Sequence, residues 1–145
     1  MTNNQHINAY KKTQQSSALV TSSHEIVRTL MRELVNSMQK IVLDIQDERT
    51  RKKDQLQVNR EFEEKNAHNR SKNLSKSLSI IYGLQTSLDF DKAMEIANNL
   101  FQLYEYCRQE IIKGFSQKIE DGIMKAIDII KQIMEGWEEI PSLNK

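Results

Sequence analysis

One cysteine, one proline and four glycines are spread over 145 residues, and no stretch of apolar residues is long. Each scarcity excludes something. A lone thiol, Cys107, rules out an internal disulfide framework and any multi-cysteine metal site. No run approaches the ~18 apolar residues of a membrane-crossing helix. The opening MTNNQHINAYKK lacks the apolar stretch of a secretory signal. Both features fit a protein of the cytosol. Neither charge sign dominates: 21 Lys+Arg stand against 20 Asp+Glu, a net charge of +1. That balance speaks against a general nucleic-acid binder, which is basic overall. Apolar residues make up only 38%, and the mean hydropathy is −0.65. With Gly and Pro so few, and Lys, Glu, Gln, Leu, Ile and Met abundant, helix is favoured almost everywhere. The length is that of one domain.

What is present is periodic. Residues 1–21 are polar and show no sustained period; they read as a flexible N-terminal cap segment whose apolar anchors are Tyr10, Leu19 and Val20. Ser22-Ser23-His24-Glu25 then offers a capping box, with Ser22 or Ser23 as the N-cap. Val27, Met31, Leu34, Met38, Ile41 and Ile45 follow in alternating steps of four and three, an unbroken seven-residue repeat. Ile26, Leu30 and Val42 widen it into a bundle-facing surface. Residues 46–70 carry both charge signs and no stripe, and read as exposed helix extending its neighbours, with a flexible linker as the alternative. The Arg49, Arg51, Lys52, Lys53 cluster inside it reads as a solvated face neutralised by nearby acids rather than a phosphate patch.

Periodicity returns at Leu74, Leu78, Ile81, Leu84 and Leu88, with Gly83 expected at a close approach of a neighbouring helix and Asp89 or Asp91 as the next cap. A third helix over about 92–113 carries two adjacent stripes. One is Ile96, Leu100, Leu103, Cys107 and Ile111; the other is Ala93, Ala97, Phe101, Tyr104 and Ile112. Gly114 reads as its stop. A fourth helix over about 118–139 carries Ile119, Ile123, Ile127, Ile130, Met134 and Trp137, and Pro141 ends it. The expected fold is all-α: an antiparallel four-helix bundle over residues 22–140, with a flexible N-terminal tail, an extended region between helices one and two (the charged insert 46–70), and a tail of residues 141–145.

Catalytic chemistry finds little purchase. His6, His24 and His68 are scattered, none has the Glu-x-x-His partner of a di-metal bundle, and all three read as surface residues. Cys107 lies on an apolar stripe with no His at readable spacing, which makes it a core thiol rather than a nucleophile. There is no glycine-rich phosphate loop and no Gly-x-Ser-x-Gly elbow. No enzyme, metal or cofactor is expected. What remains is surplus apolar surface on the third and fourth helices. A groove for a foreign amphipathic segment would use it, and so would a homodimer seam or central burial.

The order of residues adds to this. Asn8-Ala9-Tyr10, Thr21-Ser22-Ser23-His24-Glu25-Ile26, Ile80-Ile81 with Leu84 and Leu88-Asp89, and above all Ile96-Ala97-Asn98-Asn99-Leu100-Phe101-Gln102-Leu103-Tyr104-Glu105-Tyr106 resemble, in this order, motifs of the flagellin-specific export chaperones, the flagellar FliS family. Trp137 stands near the end of the last helix, as family members commonly have it. The resemblance covers most of the chain outside residues 46–62. It departs at His24, where Pro is usual, and at Thr29-Leu30-Met31-Arg32-Glu33, where the family has Met-Leu-Tyr-Asp-Gly. Gly114-Phe115 replaces the usual Ala-Asn, and the segment between the first two helices is longer.

The resemblance implies a cytosolic chaperone that covers the disordered C-terminal segment of flagellin. It would prevent premature polymerisation and keep the subunit competent for flagellar type III secretion, without a nucleotide. It implies a client-binding groove, for which Ile26, Leu30, Ala97, Leu100, Phe101 and Tyr104 are the candidate residues, and an N-terminal cover formed by Tyr10, Leu19 and Val20. It allows the export apparatus and a co-chaperone as further partners, with no nucleic acid and no membrane insertion, in a monomer or weak homodimer. The competing reading is a self-associating helical adaptor without a flagellin client.

Overall fold

The computed structural model describes residues 23–53 and 60–139, and these form four long helices with no strand among them. They are α1 (Ser23–Lys53), α2 (Arg60–Thr86), α3 (Met94–Gln117) and α4 (Asp121–Glu139). Each helix packs on its neighbours around a ring: α1 on α2 and α4, and α3 on α2 and α4, while α1 and α3 barely meet across the diagonal. Contacts fix the directions. Arg28 near the start of α1 meets Glu138 near the end of α4, and Glu48 near the end of α1 meets Arg70 in the first half of α2. Gln85 at the end of α2 meets Glu105 of α3, and Cys107 of α3 meets Ala126 of α4. The result is the antiparallel four-helix bundle that the stripes predict.

The core follows the seven-residue repeat most faithfully in α1. Met31, Leu34, Met38 and Ile41 are fully buried and Ile45 nearly so; Val35 and Val42 join them from the flank. Ile81 and Leu84 of α2, Cys107 and Ile111 of α3, and Ile123, Ala126 and Ile130 of α4 complete it. Cys107 is the core thiol that its stripe suggests: its Sγ–H donates to the Ala126 carbonyl at 3.8 Å. Burial pushes the thiol up to about 12, so it stays neutral.

The charged insert is helical where it is described. α1 runs on through Lys53 and α2 starts at Arg60, so residues 46–53 and 60–70 extend the neighbouring helices. Leu56 and Val58 lie outside the described residues, as do the possible cap Ser22, Pro141 and the N-terminal segment with Tyr10, Leu19 and Val20. Arg49 and Glu48 reach the α3–α4 turn at Glu120 and Lys118, each at 2.8 Å. Residues 60–69 of α2 therefore run past the foot of the bundle, about 15 Å of helix at 1.5 Å per residue. Arg51 of α1 pairs with Asp47 at 3.5 Å and lies 4.8 Å over the Phe62 ring of this extension.

Both internal glycine expectations need correction. Gly114 does not stop α3. It is buried inside the last turn because a Cβ there would stand 2.6 Å from Ile123 Cδ1 and 2.7 Å from the Ile119 carbonyl oxygen. The helix ends at Lys118, which takes the left-handed conformation at φ 57°. The N–H groups of Lys118 and Ile119 both donate to the Gly114 carbonyl, satisfying it as helix-end motifs do. Gly83, by contrast, has nothing within 4 Å of its Cβ position, so no neighbouring helix approaches it closely. Neither Asp89 nor Asp91 caps α3, whose N-cap is Ala93 without a side-chain bond. Asp89 builds the turn before it instead: its Oδ1 accepts from the N–H groups of Asp91 and Lys92, each at 3.1 Å.

Candidate functional site

The head of the bundle, opposite the Glu48–Lys118 end, is where the start of α1, the end of α2, the start of α3 and the end of α4 converge. They do not close on one another. A cleft of about 340 Å³ lies between them. Leu84 and Leu88 of α2, Ala97, Leu100 and Tyr104 of α3, and Val27 of α1 supply its apolar lining. Ser23, His24 and Trp137 border it on the α1–α4 side, and Asp89, Lys92, Ala93 and Ile96 on the side of the α2–α3 turn. The weak α1–α3 diagonal explains why a cleft can persist there: no ridge of one helix fills the groove of the other at this level.

The two stripes of α3 are split by the fold in a way their spacing does not reveal. The line that reaches the core is Ala97, Leu100, Tyr104, Cys107 and Ile111, drawn from both stripes, and Gly114, which belongs to neither. Ile96 and Leu103, from the first stripe, are left facing outward, and Ile96 is 63% exposed. Met94 is 64% exposed beside them. Phe90 of the preceding turn tilts against Phe101, ring centroids 6.3 Å apart. Further along α3, Leu103 and Tyr106 form a shallow apolar strip with Ile129 of α4, flanked by the amides of Asn99 and Gln102. Apolar surface therefore runs from the cleft onto the outer face of α3.

Among the six candidate groove residues, the structure brings Ala97, Leu100 and Tyr104 together in the cleft. Ala97 and Tyr104 form its floor, at 3% and 2% exposure, and so serve the core as well as the groove. Phe101 stands beside the cleft against Phe90. Ile26 and Leu30 are half-buried on α1 and do not line it; Val27 holds that place. Burial raises the Tyr104 phenol to about 12, so it remains neutral at any physiological pH.

Leu88, Ile96, His24 and Trp137 are cleft residues that the sequence reading did not assign to it. His24 is the clearest correction, since it is no solvated surface residue. Its imidazole stacks on the Trp137 indole, centroids 4.9 Å apart and planes 11° from parallel. Its Nε2 lies 2.7 Å from the Trp137 carbonyl oxygen, and Trp137 Nε1–H donates to the His24 carbonyl at 2.9 Å. The pair depends on topology rather than on local spacing: in an antiparallel bundle, the first turn of helix one and the last turn of helix four share an end.

Other surface features are secondary. A groove between α1 and α4 is lined by Val42, Leu43, Met124 and Ile127. At the foot, Glu48 accepts from Lys118 and Arg70 and pairs with Lys52 at 3.4 Å. Burial alone would raise the Glu48 carboxyl; the three cations outweigh it and hold it below the usual range. Among the described residues, no cluster of three His, Cys, Asp or Glu side chains could hold a metal ion, and no helix is long and apolar enough to cross a membrane.

An apolar cleft that continues onto an exposed helix face suits a polypeptide ligand better than a small molecule. Comparison with known proteins gives that reading its setting. The chain is similar to the flagellar secretion chaperone FliS of Vibrio cholerae, with 26% identity over 136 residues, 93% of this chain and 88% of that protein. It is similar to the Salmonella typhimurium flagellar secretion chaperone FliS at 34% identity over 68 residues, 46% of this chain and 50% of that protein. It also resembles the Pseudomonas aeruginosa flagellar secretion chaperone FliSB at 27% identity over 67 residues, 46% of this chain and 53% of that one. Residues 6–144 match the family described as Flagellar protein FliS, so this chain, cleft included, belongs to the FliS family of flagellar secretion chaperones, a chaperone family rather than an enzyme family.

Proposed function

We propose that this chain holds the C-terminal segment of flagellin in the cytosol. It would cover surface that would otherwise polymerise early and keep the subunit unfolded enough for flagellar type III secretion. The observation that carries the reading is the head cleft and its continuation through Ile96 and Met94 onto α3, in a chain of a flagellar secretion chaperone family.

The energetics suit a disordered client. Such a segment loses conformational freedom as it binds, a cost of several kcal/mol. A long apolar track offsets that cost where one small pocket would not. Burying ~1,500 Å² of mostly apolar surface supplies a gross gain of tens of kcal/mol at ~25 cal/mol per Å². Association and ordering entropy cancel most of it, leaving a moderate affinity suited to later release. Ser23, the first described residue of α1, borders the cleft, which supports a self-cover by the preceding segment with Tyr10, Leu19 and Val20 when no client is present.

Calorimetric titration with a peptide copying the C-terminal segment of flagellin tests this. A one-to-one complex of micromolar affinity or tighter is expected. Absence of heat, together with a stable dimer by light scattering, would instead establish the self-associating adaptor.

A further inference from the structure

We propose that the His24–Trp137 pair is a clasp that fixes the mouth of the head cleft, and that both side chains are positioning residues for the client segment. The inference rests on the cleft being the client site and adds a determinant of its shape. Three facts lead to it. The pair joins the first turn of α1 to the last turns of α4 by two reciprocal hydrogen bonds and a stacked ring contact. Both residues border the cleft itself. Finally, the Arg28–Glu138 ion pair that also joins α1 to α4 at this end, at 3.0 Å, is exposed and therefore weak.

The bonding sets the chemistry of the clasp. A carbonyl oxygen only accepts, so the hydrogen shared with the Trp137 carbonyl is carried by His24 Nε2. That bond satisfies one of the last carbonyls of α4, which has no partner inside its own helix. The indole N–H, in return, is bonded to main chain rather than to the imidazole. Replacing the His24 side chain thus removes the stack and one bond but leaves the other in place. With only half the clasp left, the last turn of α4 is free to fray, as helix ends do. The wall it forms then moves away from Leu88, Leu100 and Ala97, and the cleft opens toward the seam between α1 and α4. A wider mouth still binds apolar groups, but it no longer grips one strip of polypeptide in one register.

The test compares damage at the two ends of the bundle. His24→Ala and Trp137→Phe are measured beside Glu48→Gln, which weakens the charge pairs at the foot, far from the cleft. Each full-length variant is melted by circular dichroism and then titrated, well below its melting temperature, with the flagellin C-terminal peptide. A parallel titration uses 1-anilinonaphthalene-8-sulfonate, an apolar anionic dye. For a clasp, His24→Ala weakens the peptide at least tenfold and shifts dye affinity at least threefold. Trp137→Phe, which retains a ring for His24, weakens the peptide less than His24→Ala does. Glu48→Gln leaves both probes within twofold, whatever it does to the melt. If all three variants alter binding only in proportion to their loss of stability, the pair merely holds the fold and the proposal is overturned. If the unmodified chain ignores the peptide, the client reading fails, while the dye titration still decides the clasp. Unchanged dye binding in His24→Ala refutes it.

Discussion

The same substitution should have opposite signs at two glycines of this bundle. At Gly114, a Cβ would stand 2.6 Å from Ile123 Cδ1 and 2.7 Å from both Ile123 Cγ1 and the Ile119 carbonyl oxygen. Ordinary contact is ~3.4–4 Å, so each neighbour has to retreat by ~0.7–1 Å. The Ile123 tip could rotate, but it is fully buried in the core. The Ile119 carbonyl belongs to the turn whose own N–H is bonded to Gly114 at 3.1 Å, so moving one strains the other. Overpacking costs ~1–3 kcal/mol, and ~2–3 kcal/mol where, as here, one of the clashing atoms is backbone; alanine's better helix propensity returns ~1 kcal/mol of this. Gly114→Ala is therefore expected to destabilise by ~1–2 kcal/mol, lowering Tm by ~3–8 °C for a chain of this size. Gly83→Ala meets nothing within 4 Å, keeps only the propensity gain of ~0.5–1 kcal/mol, and should raise Tm by ~2–4 °C. Thermal and urea melts followed at 222 nm read both. A Gly114→Ala protein as stable as the unmodified chain would refute the packing of the α3–α4 turn described above.

Three further outcomes follow from the same geometry. Ile96→Asp places a charge on the exposed rim of the cleft, so the melt should move by no more than ~0.5 kcal/mol while the flagellin peptide binds at least tenfold more weakly; a lost fold would show that Ile96 is core. Tyr104→Asp should unfold the protein instead, since it buries a carboxylate in the cleft floor, whereas Tyr104→Phe keeps the ring and should fold normally by circular dichroism. Glu48, Glu105 and Glu120 are all held below the usual carboxylate range. A depressed folded pKa gives stability that is present above the unfolded value of ~4.3 and is lost as pH falls through the folded one. Urea midpoints should therefore be flat near neutrality and fall below pH ~4.5, with a shallower acid limb in Glu48→Gln; an unchanged limb in that variant would remove Glu48 from the explanation.

The first helix was legible almost residue by residue, because its seven-residue repeat is interrupted by nothing and its flanks are polar. The third was not. Ile96 and Ala97 are neighbours on two equally plausible stripes, and spacing alone does not say which faces inward. The fold chose the line containing Ala97, Tyr104 and Gly114, whose mixed sizes suit a close approach to α4, and left Ile96 and Leu103 outside. Gly114 looked like a helix stop because glycine is common just past helix ends; its real reason is a missing Cβ beside Ile123 and Ile119, a contact made only in three dimensions. His24 was passed over for a similar reason. Its partner is 113 residues away, and no local pattern announces a ring stacked across the chain. The surplus of apolar residues was readable, and its position at one end of the bundle was not.

Hydrogen–deuterium exchange of the full chain, with and without the flagellin C-terminal peptide, locates the client on the bundle. With the client seated at the head, exchange should slow in the first turns of α1, the end of α2 and residues 94–106 of α3, and change little near Glu48 and Lys118. Protection concentrated at that foot, or along the α1–α4 groove of Leu43 and Met124, would contradict that seating.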